Sequence, residues 1–82
     1  MIMNGLRVYI NTEGAEARDG QGVFYSRRDD GPFYRWRYEE KAGRWRVARV
    51  HSSGFSPKFL SMTNWKVVPA ALQRSMGEHY QD

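Results

Sequence analysis

Side chains alternate along two parts of residues 32–50, PFYRWRYEEKAGRWRVARV, and this alternation constrains the fold more than any other feature of the sequence. Large apolar residues take every second position, and arginines take most of the positions between them. A period of two is the period of a β-strand. The stretch EKAG interrupts the pattern, and its glycine can adopt the positive φ that a tight loop needs. We therefore predict a β-hairpin with strands at 33–39 and 44–51 and a loop at 40–43.

The rest of the chain contains further signals for strands and turns. LRVYINT and VFYSRR have the alternation or the aromatic content of strands, and the DDGP that follows VFYSRR has strong turn chemistry. The charged, glycine-rich stretch at 13–22 has no periodicity and is predicted to be a loop. Residues 52–64 are predicted to be irregular, with a single helical turn between Lys58 and Met62 as one option. WKVV at 65–68 is the candidate for a short fifth strand.

A helix is predicted from Pro69 to the end of PAALQRSMGEHYQ. Proline suits a first helical turn, because its missing N–H would have no partner there. Leu72, Met76 and Tyr80 fall four residues apart and would form one apolar stripe. The predicted fold class is mainly β (α+β): a small antiparallel four- to five-stranded bent sheet or SH3-like partly open barrel with one C-terminal helix. Residues 1–82 are predicted to form a single domain.

The loop lengths then decide which side chains share a surface. With loops at 29–32 and 40–43, facing strands stay in phase, so that Arg37 pairs with Arg46 and Tyr25 with Trp36. The surface predicted to form the core carries Val23, Tyr25, Tyr34, Trp36, Tyr38, Trp45 and Val47. The opposite surface is predicted to carry Arg35, Arg37, Arg44 and Arg46, with Phe24 and Phe33 among them.

Positive charge is concentrated in the same part of the chain. The formal net charge is +4 and the sequence pI is about 9.8. Residues 27–49 hold eight Lys and Arg against four Asp and Glu, and the other residues balance. A basic domain with clustered bases is typical of proteins that bind polyanions. Directly opposed arginines repel one another across a sheet, and a bound phosphate would remove that repulsion.

The predicted function is therefore a small nucleic-acid-binding module without enzymatic activity. Arginine donates paired hydrogen bonds that suit phosphates, and phenylalanine rings can stack on bases. Phosphate contacts are predicted for Arg35, Arg37, Arg44 and Arg46, with Arg27 and Arg28 at the rim. Stacking is predicted for Phe24 and Phe33. The sequence does not distinguish DNA from RNA as the partner.

The arginines are also compatible with a purely structural role. They could form a solvated face whose stems cover apolar surface, or a face that the helix covers and pairs with Glu78 and Asp82. The alternative function is a protein–protein interaction module of SH3-like type, without nucleic acid. Its aromatic-lined groove would draw on Tyr9, Tyr25, Tyr34 and Trp36. Exposed strand edges also make a homodimer one of the possible assemblies.

The order of the elements resembles that of SH3-like barrels: four strands, a short irregular turn and a brief last strand. LRVY near the start and KVVP near the end are similar to the ends of the SH3-like C-terminal domain of retroviral integrases. These two fragments cover eight of the 82 residues. The resemblance implies a small barrel and, as an expectation only, DNA binding.

No residue pattern points to catalysis, a metal or a cofactor. The chain has no cysteine, which excludes disulfides and thiolate ligands and fits a reducing compartment. His51 and His79 are far apart in sequence, and the adjacent acidic pairs fall at predicted turns. No signal peptide or membrane-length apolar run is seen. We predict a cytoplasmic protein that contacts no membrane.

Overall fold

The computed structural model of the protein describes residues 4–12, 23–51 and 57–81. Within them five strands form one antiparallel sheet in the spatial order β4-β3-β2-β1-β5. The strands are β1 (Leu6–Asn11), β2 (Val23–Arg28), β3 (Tyr34–Glu39), β4 (Arg44–Arg49) and β5 (Leu60–Met62). One α-helix, α1 (Ala70–His79), follows the sheet. The predicted fold class is confirmed: the protein is mainly β, with a partly open antiparallel sheet and one C-terminal helix. The predicted loop at 13–22 lies outside the described residues.

The fifth strand lies earlier in the chain than predicted. After a 3-10 turn at Pro57–Phe59, β5 pairs with β1, where Tyr9 faces Met62. The predicted strand at 65–68 is wrong, because Trp65–Val67 forms a second 3-10 turn. Asn64 starts this turn, since its Oδ1 accepts a hydrogen bond from the Lys66 backbone N–H at 2.9 Å. A side-chain cap of this kind competes with strand pairing.

Helix α1 is present as predicted but shorter: it begins at Ala70, with Pro69 at the N-cap, and ends at His79. It covers one face of the sheet. Leu72 and Met76 in the helix and Tyr80 just after it are all buried. This confirms the prediction that residues four apart form the side of the helix that packs on the sheet. The hydrophobic core beneath it combines side chains from β1, β2 and β3 with Val68 and the helix. The core members from the strands are Leu6, Val8, Phe24 and Trp36.

A buried hydrogen-bond network joins the helix to the sheet. The Trp36 Nε1–H donates to Ser26 Oγ at 2.8 Å, and Ser26 Oγ shares a second hydrogen bond with the Tyr80 hydroxyl at 2.7 Å. Ser26 is fully buried between these partners. Buried polar groups need such partners, because leaving one unpaired costs about 1–3 kcal/mol. The network therefore fixes the end of α1 over β2 and β3.

The two hairpins differ in how well their registers could be predicted. The β3–β4 pairing, with Arg37 opposite Arg46, is the one expected for a loop at 40–43. Gly43 takes φ 64° in that loop, as predicted. The β2–β3 pairing is shifted by one residue from the prediction, so that Phe24 faces Trp36 and Tyr25 faces Arg35.

The shift in the first hairpin comes from the length and shape of its turn. The connection between β2 and β3 spans 29–33, one residue longer than the predicted loop at 29–32. Asp29 adopts φ 52°, and its N–H donates to the Gly5 carbonyl at 3.0 Å. Gly5 itself has φ 77°, and a Cβ there would come within 2.1 Å of Asp29 Oδ1. The turn is thus shaped by a contact with the residues before β1, and an odd loop length reverses which side chains face together.

Candidate nucleic-acid interface

Four arginines gather on the side of the sheet that α1 does not cover. Arg35 and Arg37 alternate with buried Trp36 along β3, and Arg44 and Arg46 alternate with Trp45 along β4. Because strand side chains alternate between faces, all four lie on the side opposite Trp36 and the helix. We call this surface, formed by Arg35, Arg37, Arg44 and Arg46, the arginine face. The structure places these predicted residues together as the sequence indicated.

Pairing across β3 and β4 packs the positive charges closely. Arg37 lies directly opposite Arg46, while Arg35 lies opposite Ala48. Glu39 lies opposite Arg44, yet its carboxylate makes its ion pair with Arg46, with Nε and Oε2 at 2.6 Å. The two side chains are 57% and 38% exposed, so the pair stabilises the fold only slightly. Arg44 forms no ion pair with any residue of the described ranges.

One end of the arginine face is held in place by the β2–β3 turn. Arg27 donates from Nε to the Gly31 carbonyl at 2.9 Å, and its guanidinium carbon lies 5.0 Å from the centre of the Phe33 ring. Phe33 in turn meets Tyr9 edge to face, with ring centroids 5.7 Å apart. Arg27 and Phe33 therefore lie beside the arginine face, where the sequence placed them, with Phe33 partly buried between two neighbours.

Two of the other predicted site residues lie on the opposite side of the sheet. Phe24 is only 7% exposed and packs against Trp45 at 5.8 Å, so its predicted position among the arginines is wrong. Arg28 points to the helix side as well, and its Nη1 donates to the Tyr80 carbonyl at 3.3 Å. The cause of the Phe24 error is the one-residue shift of the first hairpin.

The same shift brings two apolar residues to the side of the arginines. Tyr25 faces Arg35 and Val23 faces Arg37 across the β2–β3 pair. Both were predicted to belong to the surface that holds Trp36, and both are nonetheless buried, with Tyr25 only 3% exposed. The part of this side formed by Val23 and Tyr25 is therefore closed and apolar, and it lies beside the arginines of β3.

Sequence reasoning missed one arginine on this side of the molecule. Arg7 lies directly opposite Arg27, and its Nη2 donates to the Asp29 carbonyl at 2.9 Å. The signal was present in the alternation of Arg7 between the buried Leu6 and Val8. It could not be used, because the register between β1 and β2 depends on residues that are distant in sequence.

Two titratable groups on the helix side have altered proton affinities. Burial lowers the pKa of His79 below its ordinary value of 6.5. Burial also raises the pKa of Tyr80 above 10.0, while its hydrogen bond to Ser26 acts in the opposite direction. Among the described residues, no cluster of His, Cys, Asp and Glu has the composition of a metal site.

Comparisons with protein-family models, with curated proteins and with solved structures find no match for this chain. Within the part of the chain that the structure describes, no helix is both long and apolar enough to cross a bilayer. Any functional assignment therefore depends on the chemistry of the site itself.

Proposed function

We propose that this protein is a small nucleic-acid-binding module, without enzymatic activity, that holds phosphates on its arginine face. The observation that carries the proposal is the direct opposition of Arg37 and Arg46, with Arg35 and Arg44 beside them. Four guanidinium groups on two neighbouring strands concentrate positive charge on one face, and the ion pair between Arg46 and Glu39 offsets one of them in part. Guanidinium groups bind phosphates through paired hydrogen bonds, and a row of phosphates would neutralise the whole face.

Protection of the sheet edge accounts for only half of the charges. Edge strands often carry charged side chains that prevent pairing with other chains, and β4 is an edge strand. This accounts for Arg44 and Arg46. It does not account for Arg35 and Arg37, because β3 lies inside the sheet between β2 and β4. Helix α1 lies on the opposite side, so its Glu78 does not neutralise the arginine face. Asp82 lies outside the described residues.

The set of contacts differs from the one predicted from sequence. Arg35, Arg37, Arg44 and Arg46 provide the phosphate contacts, and Arg27 extends them toward the β2–β3 turn. Phe24 is excluded from base stacking by its burial, and Phe33 already contacts Arg27 and Tyr9. Contacts to the backbone thus dominate, which makes binding strongly dependent on salt.

The first prediction concerns the double variant Arg35→Gln with Arg37→Gln. It should lose most affinity for oligonucleotides, measured by fluorescence anisotropy at about 50 mM and about 200 mM salt. Four neutralised phosphates give a log–log salt slope of about −3.6 for a duplex, and removing two contacts should reduce it by about 2 units.

The matched control removes the same charge from the other side of the molecule. Lys66 and Arg74 are exposed in the second 3-10 turn and in α1. Lys66→Gln with Arg74→Gln should leave both the affinity and the salt slope nearly unchanged. Equal losses in the two double variants would mean that only net charge matters. Weak binding by the unchanged protein at both salt concentrations would overturn the proposal.

A protein–protein interaction module is the second candidate, and one observation favours it. Tyr38 and Val47 are each 40% exposed on the helix side of the β3–β4 hairpin. The groove predicted from sequence is not continuous, because Tyr25 and Trp36 are buried. A partner that binds the Tyr38 surface should be insensitive to the double arginine variant and sensitive to Tyr38→Ala.

A further inference from the structure

A cleft of about 330 Å³ opens between the β2–β3 turn and the C-terminal end of α1. Gly31 and Pro32 line it from the turn, Arg28 and Tyr34 from the sheet, and His79 from the helix. The volume is at the lower end of the range for ligand sites, which fits one planar ring better than a large molecule.

The walls of this cleft are preorganised aromatic rings. The Tyr34 and His79 rings meet edge to face with centroids 4.5 Å apart. His79 also packs against Trp36 at 5.4 Å and against Tyr80 at 4.8 Å. Because these neighbours hold the imidazole from more than one side, the wall requires little ordering when a ligand enters.

Polar groups at the cleft match the edge of a nucleobase. Arg28 lines the cleft with Nη1 held by the Tyr80 carbonyl at 3.3 Å, and the N–H donors of a guanidinium suit ring nitrogens and carbonyl oxygens of bases. Burial lowers the pKa of His79, so its ring is neutral near neutral pH and offers one donor and one acceptor. An aromatic wall with such an edge is the usual chemistry for holding an unstacked base.

The cleft and the phosphate contacts share a single turn. Arg27 is fixed to the Gly31 carbonyl on the arginine side, and Gly31 lines the cleft on the helix side. Arg27 and Arg28 are consecutive in β2 and therefore project to opposite sides of the sheet. A nucleic-acid strand that leaves the arginine face at Arg27 reaches the cleft by crossing this turn.

We propose that the cleft lined by Arg28, Tyr34 and His79 receives one unpaired base of a strand whose phosphates lie on the arginine face. The inference rests on the proposed function and narrows its substrate class. The preferred ligand is a nucleic acid with unpaired nucleotides, such as a duplex with an overhang, rather than a blunt duplex.

The test compares two labelled duplexes that carry a short overhang with the same number of phosphates. In one the overhang has bases, and in the other it is abasic. Base stacking by aromatic side chains contributes enough for the overhang with bases to bind at least about fivefold more tightly. His79→Ala should bring this ratio close to unity while the affinity for the abasic duplex stays the same. Tyr38→Ala is the control, because Tyr38 is a partly exposed ring at the far end of β3.

Arg28→Gln provides a second variant that leaves the aromatic walls intact, and circular dichroism checks that each variant is folded. It should also lower the ratio, because the guanidinium contacts the base edge. A ratio near unity in the unchanged protein, with both duplexes bound, would overturn the cleft inference and leave the proposed function standing. Absence of binding to either duplex would overturn both. If Tyr38→Ala lowers the ratio of the two affinities as much as His79→Ala does, the base lies elsewhere. That result would overturn the cleft inference alone.

Discussion

At the scale of single residues, Ser26 has more influence on the fold than its size suggests. Its hydroxyl oxygen accepts a hydrogen bond from the Trp36 indole N–H and shares a second hydrogen bond with the Tyr80 hydroxyl. Two large side chains from different elements are thereby oriented by one small one. Nothing in the sequence VFYSRR marks this serine as buried, because its partners come from β3 and from the end of α1.

We predict that Ser26→Ala destabilises the protein by about 1–3 kcal/mol, since the indole N–H would be left buried without an acceptor. Urea unfolding followed by circular dichroism measures the change. Ser61→Ala is the control, because Ser61 is exposed in β5 and its loss should change the free energy of unfolding by no more than about 0.5 kcal/mol. Equal effects of the two substitutions would show that the network does not stabilise the fold.

At the scale of elements, we expect His79 at the end of α1 to make the stability depend modestly on pH, because its side chain stays largely exposed. The pKa of His79 is lower in the folded protein than its ordinary value of 6.5, because burial disfavours the charged ring. The unfolded chain therefore takes up the proton first. The contribution of His79 to stability is present above pH 6.5 and is lost as the pH falls through the folded pKa.

The expected result is a lower urea midpoint at about pH 5.5 than at about pH 7.5, with a smaller difference in His79→Gln. His51→Gln is the matched histidine control, because His51 is exposed just after β4 and makes no described contact with α1. If the urea midpoint of His79→Gln changes with pH as much as that of the unchanged protein, the pH dependence belongs to another group.

The elements also show how far a single sequence can lead. Strands β1, β3 and β4 and the helix were predictable from local periodicity, and β2 from its β-branched and aromatic composition. The second hairpin register followed from a loop with a glycine at its end. The first hairpin was not predictable, because the shape of its turn depends on the contact between Asp29 and Gly5. The position of β5 depends in the same way on pairing with β1.

The candidate site was predictable where local alternation alone decides it. The four arginines of β3 and β4 share a face whatever the register of β2, so their grouping follows from the sequence. Phe24 was misplaced because its face depends on the longer turn. The cleft could not be foreseen, since Arg28, Tyr34 and His79 are brought together only when α1 docks.

At the scale of the whole molecule, the open edges of the sheet bear on assembly. The outer strands are β4 and β5, and β5 spans only Leu60–Met62. In two copies that paired through β4, their arginines would be brought close together, and such repulsion disfavours self-association. The homodimer stays a prediction.

We expect Arg44→Thr with Arg46→Thr to increase self-association, because it leaves a longer uncharged edge with Trp45 and Val47 on one side. Sedimentation equilibrium over a range of concentrations measures the average mass. The Lys66→Gln and Arg74→Gln double variant carries the same net charge as this variant. Its average mass should equal that of the unchanged protein. A strictly concentration-independent mass in both variants would show that the β4 arginines are not needed to keep copies apart.

The position of β1 between β2 and β5 has a consequence for how the chain acquires this shape. The hairpins from β2 to β4 join neighbours in sequence, whereas Tyr9 meets Met62 and the hydrogen bond between Ser26 and Tyr80 joins residues 54 apart. Contacts between distant residues are slow to form because a long loop has to close first. During synthesis the neighbouring strands β2, β3 and β4 can pair early. Pairing of β5 with β1 and docking of α1 come only after residues 60–80 have left the ribosome.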